Sequence, residues 1–213
     1  ALGINTFLGR ADRHIQRTLL EYWDEGGAIQ WFAQTCPEYK ELGRNIAEAI
    51  NVGARGCYVH GGQMDFLFAQ NQLDIVPDAI AQIRDAGLAA GIAAHNPQVH
   101  LWAEEHLDVD FYMGSYYNPT RRDEHAEHIA GAREVFAAED RAAMVDVIQG
   151  LSKPVIHYKI MAAGRNDPQA AFAFVAEHLR PQDAVCIGVY TKEHPDMLAE
   201  DWQLLEDSLK GEG

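Results

Sequence analysis

Imidazoles and other polar groups recur in this chain where apolar runs stop. Residues 55–65 read RGCYVHGGQMD: Cys57, Tyr58 and Val59 suit a buried strand, His60 stands at its end, and Gly61-Gly62 lets the backbone turn tightly beside that ring. His95-Asn96-Pro97 follows an apolar run over 88–94, Tyr116, Tyr117 and Asn118 follow 109–115, and His157, Tyr158 and Lys159 close 153–160. Arg10, Asp12 and His14 follow the first run, Gln34 and Glu38 the second. Imidazole titrates near neutrality and serves as general acid or base, so His60, His14 and His95 are candidates for proton transfer, with Asp12 or Asp65 to orient a ring. One strand-end histidine is more often a hydrogen-bonded structural residue. Four on different strands favour a shared site, because burying unused imidazoles costs solvation each time.

Other chemistry is open to the same residues. A divalent metal would be held by His60, His95 and either His14 or Asp12, with no HxH or HExxH spacing to support it. Lys159 could form a Schiff base if burial lowers its pKa; alternation puts it on the opposite face from Tyr158 unless the strand ends there. Asp65 equally suits opening a helix or solvating a loop. His125 and His128, with Glu124 and Glu127, have helical ligand spacing but lie in a charged stretch that reads as solvated. Arg165, after Gly164, could hold an anionic group or cap a strand exit.

Positioning these groups requires a regular scaffold, and the pattern supplies one. Apolar runs predict strands at 4–8, 28–35, 57–60, 88–94, 109–115, 153–160 and 184–190. Between and after them come amphipathic helices: one carrying Ile15, Leu19, Leu20 and Trp23 and stopped by Gly26-Gly27, then 38–52, 75–86, a short one from Pro97, 138–149, 168–179 and 195–209. Strands apolar throughout, alternating with helices, imply a parallel sheet covered outside by helices. The expected fold is α/β, a (β/α)8 TIM barrel in one domain over residues 1–213, with seven β/α units visible and the first strand and helix missing. No GxGxxG follows any strand, which lowers an open doubly wound sheet. The one long connection, a charged insertion at about 119–137, has the length of a lid or substrate wall.

Composition narrows the partners. A formal charge of −15 without a basic patch argues against nucleic acid, and no apolar run approaches the roughly 18 residues of a membrane span. Cys36, Cys57 and Cys186 show no CxxC spacing and suit small buried residues in a reducing compartment, so a soluble cytoplasmic protein with a small-molecule substrate is expected. Homo-oligomerisation is left open.

The strand ends resemble those of the aldo-keto reductase superfamily, in a divergent branch. Gly3-Ile4-Asn5-Thr6-Phe7 with Ala11-Asp12 resembles the family's second strand, and Tyr58-Val59-His60 with Asp65 its fourth, which ends in a catalytic histidine. The stretch from Asp85-Ala86-Gly87 through Gly91 to Asn96 is similar to "GKIRAIGVSN", and Asp110-Phe111 with Tyr116 and Asn118-Pro119 to "DFVQVPYNP". Residues 156–164 and 187–192 are similar to the seventh and eighth strands. The resemblance implies carbonyl reduction with a nicotinamide cofactor, NADP, in a tetrad of Asp, Tyr, Lys and His. Only the histidine is kept, as His60; His14 stands at the tyrosine position, Leu8 or Gly9 at the aspartate and Gln34 or Thr35 at the lysine. It further implies Asn96 on the carboxamide, Tyr158 under the nicotinamide ring, and Thr191 and Lys192 near the phosphates. His95, Tyr116, Asn118 and Arg165 would then meet the substrate.

An aldo-keto-reductase-like oxidoreductase for a small carbonyl or sugar-like substrate is therefore the first expectation, with His60 and His14 replacing the missing tyrosine. A metal- or acid–base-dependent lyase or isomerase on the same barrel, and a catalytically inactive ligand-binding barrel, are the alternatives.

Overall fold

A computed structural model of the chain describes residues 2–38, 41–127, 129 and 131–211. Seven parallel strands lie side by side in chain order: β1 (Thr6–Arg10), β2 (Gln30–Gln34), β3 (Gly56–Val59), β4 (Ala89–Ala94), β5 (Phe111–Ser115), β6 (Val155–Tyr158) and β7 (Ala184–Val185). Every connection carries at least one helix: α1 (Arg13–Asp24), α2 (Leu42–Val52), α3 (Gly61–Ala69) and α4 (Val76–Asp85), α5 (Pro97–His106), α6 (Ala138–Gly150) and α7 (Pro168–His178), with α8 (Met197–Lys210) after β7. The sheet curls as in a TIM-type (β/α) barrel, with β1 and β7 as its two edges.

Strand alternation sorts the side chains onto two faces. Leu8, Phe32, Tyr58, Ala93, Phe111, Met113, Ile156 and Tyr158 meet on the inner face. Trp31, Ala33, Cys57, Val59, Ala90, Ile92, Ala94, Tyr112 and Val155 join the larger outer core with the helices. Two inner positions are kept empty: a Cβ at Gly91 would stand 2.6 Å from the Phe111 ring, and one at Gly56 would stand 3.0 Å from Phe32. Those rings fill the barrel instead, 5.2 Å apart. Helix starts follow local chemistry, with Asp12, Asn96 and Asp167 side chains accepting backbone N–H groups at α1, α5 and α7.

Two elements differ from the sequence expectation. Residues 61–69 form α3 directly after β3, ahead of the expected helix of that unit. The last strand has two residues rather than seven: β7 is an edge that pairs with β6 alone among the described residues, and β6 itself stops at Tyr158, where Lys159 turns to φ 59°. The stretch 119–137 contains no helix or strand among the described residues. Cross-links still hold it to the barrel. Gln70 Nε2 donates to the Asp123 carbonyl at 2.6 Å, Arg165 reaches Glu134 at 3.8 Å, and the Arg165 guanidinium lies 4.4 Å over the Phe136 ring. No described helix is long and apolar enough to cross a membrane.

Candidate active site

Helix α3 is apolar except at Gln63 and Asp65, and Asp65 faces inward. It sits one turn after Gly61, on the same side of the helix, and its carboxyl group reaches the end of β4. There it accepts the His95 backbone N–H at 3.2 Å and the Asn96 N–H at 3.1 Å, and meets His95 Nδ1 at 2.7 Å. A carboxylate only accepts, so His95 Nδ1 keeps its proton and donates it in a hydrogen bond to Asp65, leaving Nε2 as the free lone pair of the ring. His95 is 6% exposed. Burial lowers its pKa, against the opposing pull of Asp65, so the neutral imidazole is favoured.

The Gly61-Gly62 pair makes room for the rings. A Cβ on Gly61 would stand 3.1 Å from both His95 Cε1 and the Tyr158 hydroxyl, so the imidazole and the phenol face each other across this glycine. Their ring centroids are 6.2 Å apart. Burial raises the Tyr158 pKa, and Asp65 adds to the rise, so the phenol keeps its proton. A Cβ on Gly62 would stand 3.0 Å from His60 Cε1 and 2.5 Å from the Ala126 carbonyl oxygen, which brings the charged connection down onto His60. The His60 backbone N–H is fixed by Thr35 Oγ1 at 2.9 Å, whereas its Nδ1 is buried with no partner among the described residues. Burial, then the nearby His95 and Arg10, depresses the His60 pKa to about 4.

The connection also contributes a residue that the sequence did not single out. Arg122 is 8% exposed; its guanidinium donates to the Glu127 carbonyl, and its charge acts on His60, His95, Tyr158 and Lys159 together. Its place inside a run of charged residues hid it. Beside this cluster a cleft of about 540 Å³ opens between the ends of β6 and β7, lined by Tyr158, Lys159 and Met161 on one side and Cys186, Ile187 and Tyr190 on the other.

Other expected residues are placed elsewhere. His14 is exposed on the first turn of α1, its backbone N–H on the Asp12 cap. Asp12 is occupied in capping that helix and in pairing with Arg10 at 3.1 Å, so it orients no imidazole. With His14 outside, the alternative metal triad is not assembled, and the described residues contain no group of three His, Cys, Asp or Glu side chains able to hold a metal. Tyr116 falls on the outer face, one residue past inward-facing Ser115, and its hydroxyl meets His157 Nδ1 at 2.9 Å among the helices. Asn118 has its N–H on Asp140 at 3.1 Å and its Oδ1 buried without a partner among the described residues.

Asn96 Oδ1 caps α5 through the Gln98 N–H at 3.0 Å. Arg165 is taken up by Glu134 and Phe136 of the connection rather than by an open substrate space. Thr191 and Lys192 are exposed in the turn that follows Tyr190. His125 is exposed beside Glu124, and His128 lies outside the described residues. Burial pushes the Cys36 thiol up to about 11 and Cys57 to about 12, as for packed rather than reactive thiols.

No family model matches the chain, and no curated protein matches it. Solved structures do. One described as "Putative aldo-keto reductase from Pseudomona aeruginosa" superposes with a TM-score of 0.64 at 18% identity, covering 97% of this chain and 78% of its own. A second structure described as such a reductase, from the same organism, gives the same TM-score and identity over 97% and 79% of the two chains. A monomeric dihydrodipicolinate synthase variant superposes at 0.55 with 10% identity, over 98% of this chain and 68% of the other. The likeness at these identities is one of architecture: the chain has an aldo-keto-reductase-like (β/α) barrel fold.

Proposed function

We propose that this chain is an aldo-keto-reductase-like oxidoreductase that reduces a small carbonyl or sugar-like substrate with NADP. The observation that carries the reading is the buried Asp65–His95 pair facing the Tyr158 hydroxyl across Gly61, at the strand ends of a barrel where active sites are expected. Carbonyl reduction needs a proton delivered to oxygen as hydride reaches carbon. Tyr158 holds such a proton in a site where burial disfavours its loss. His95 Nε2, oriented through Asp65, accepts a hydrogen bond from a substrate hydroxyl or from the phenol. His60, with its pKa near 4, acts at neutral pH as a neutral polar group beside the carbonyl, not as a cation.

The cleft has the volume of a small-molecule site, ~300–1,000 Å³ in general, and its apolar wall with Tyr158 suits a flat aromatic ring. Met161 and Ile187 would flank the nicotinamide, with the Tyr158 ring at its edge and the Tyr158 hydroxyl free for the carbonyl. Asn96 would hold the carboxamide through Nδ2 only, and Thr191 and Lys192 the phosphates just beyond Tyr190. Bound there, NADPH supplies the hydride. Quenching of tryptophan fluorescence on NADPH addition, and loss of NADPH absorbance with a panel of short aldehydes and aldoses, test the reading. Absence of both sinks it.

A further inference from the structure

Lys159 is the cleft residue that reduction leaves unused. The strand ends one residue earlier, at Tyr158, and Lys159 takes φ 59°, a left-handed conformation that costs a lysine about 1–2 kcal/mol. Ala162, Ala163 and Gly164 also have positive φ, so the exit of β6 takes left-handed backbone at four positions. The turn at Lys159 cancels strand alternation. Instead of following His157 toward the helices, Lys159 joins Tyr158 in lining the 540 Å³ cleft. Its ammonium makes no ion pair among the described residues, because the nearby carboxylates are engaged: Asp65 by His95, and Glu134 by Arg165. Lys153 and Lys210, by contrast, have Asp108 at 3.9 Å and Glu206 at 3.3 Å.

We propose that Lys159 is a nucleophilic amine that condenses with an aldehyde or ketone in this cleft to form an imine. Burial, then the adjacent charge of Arg122, lowers the pKa of the ammonium against Glu134 and Asp65, which raises the share of neutral amine at neutral pH. The Nζ lone pair forms the C–N bond as the carbonyl π pair moves to oxygen, and that oxygen takes a proton to give a carbinolamine. Nitrogen then loses a proton to solvent, its lone pair closes C=N as the C–O bond breaks, the oxygen takes a second proton and leaves as water, and the resulting iminium releases its N–H proton to solvent to give the imine. No oxidant or reductant is consumed. The neighbouring Tyr158 phenol can protonate the departing oxygen. The inference rests on the carbonyl-substrate half of the proposed function and not on the nicotinamide.

The test is reductive trapping: the whole chain, propionaldehyde at limiting concentration and sodium cyanoborohydride, with peptide mass mapping of each lysine. Lys159 is expected to be alkylated about tenfold or more faster than half-buried Lys153 and exposed Lys192 and Lys210, as for a desolvated amine beside a cation. Lys159→Arg and Lys159→Met should each abolish the fast phase while the melting temperature stays close to that of the parent. Labelling of Lys159 no faster than the exposed lysines, in protein with a native melting transition, overturns the proposal. The NADPH assay separates the two readings. Turnover without fast Lys159 labelling removes the imine alone, and fast labelling without NADPH binding removes the reductase alone.

Discussion

Asp65 and His95 stand thirty positions apart in the chain, and the carboxylate of one lies 2.7 Å from Nδ1 of the other in a buried site. The contact joins the first turns of α3 to the end of β4, so that a helix directly after one strand steers the imidazole of the next. Asp65→Asn removes the anionic acceptor and leaves the volume. The ring nitrogen shifts of His95 in 15N NMR should move toward the other tautomer, and turnover should fall by about 10²–10⁴-fold, the usual range for loss of acid–base assistance. Unchanged His95 shifts would show that the carboxylate does not set the tautomer.

The two glycines of α3 should respond differently to a methyl group. Gly→Ala inside a helix gains roughly 0.5–1 kcal/mol of backbone entropy. At Gly61 the new Cβ meets His95 and Tyr158 at 3.1 Å, contacts that side chains relieve by a few tenths of an ångström. Gly61→Ala is therefore expected to melt within a few degrees of the parent while turnover falls by up to about 10²-fold from misplaced groups. At Gly62 the new Cβ meets the Ala126 carbonyl at 2.5 Å, which backbone must relieve. Faster hydrogen exchange in 120–127 of Gly62→Ala, absent in Gly61→Ala, is the expected signature.

Acid should weaken the fold through two histidines. His60 and fully buried His100 are each depressed from 6.5 to about 4, in both cases first by burial. Between those values the unfolded chain binds protons that the folded chain refuses, so the stabilisation is fully present above pH 6.5 and is lost as pH falls toward 4. Each site contributes a slope of up to about 1.4 kcal/mol per pH unit in that window. Urea midpoints measured across it should fall with pH, and His100→Gln should flatten the curve. A midpoint independent of pH over this range would contradict the burial of both rings.

Behind the sheet, Asp183 is the buried acceptor for a structural network. Its side chain is 0% exposed and takes hydrogen bonds from Arg180 Nε at 2.8 Å and the Val155 N–H at 2.8 Å, with His157 Nε2 at 3.2 Å. Asp183→Ala would strand a mostly buried guanidinium and tear the start of β6 from its anchor. A loss of about 3–5 kcal/mol in chemical denaturation is expected. Little change would mean that solvent reaches Arg180 freely.

Repeating apolar runs, glycine and proline punctuation and strand-end polar groups were enough to fix a parallel α/β barrel, because period and turn chemistry are local properties of the chain. They also placed Tyr158 on the inner face and His157 on the outer, since alternation along a strand is counted residue by residue. Partnership was not legible in that way. Asp65 suits orienting a ring, opening a helix or solvating a loop equally well until α3 forms against β4 and selects His95 rather than His60 as its partner, and Arg122 is one charge among many until the connection folds over His60. His14 carries the right chemistry close after a strand, yet Asp12 caps a helix that starts at Arg13, and that puts His14 on its exposed first turn. Local sequence sets which way a side chain leaves the backbone. Only the packing of distant segments sets what it meets, and the chemistry of this site lives in those meetings.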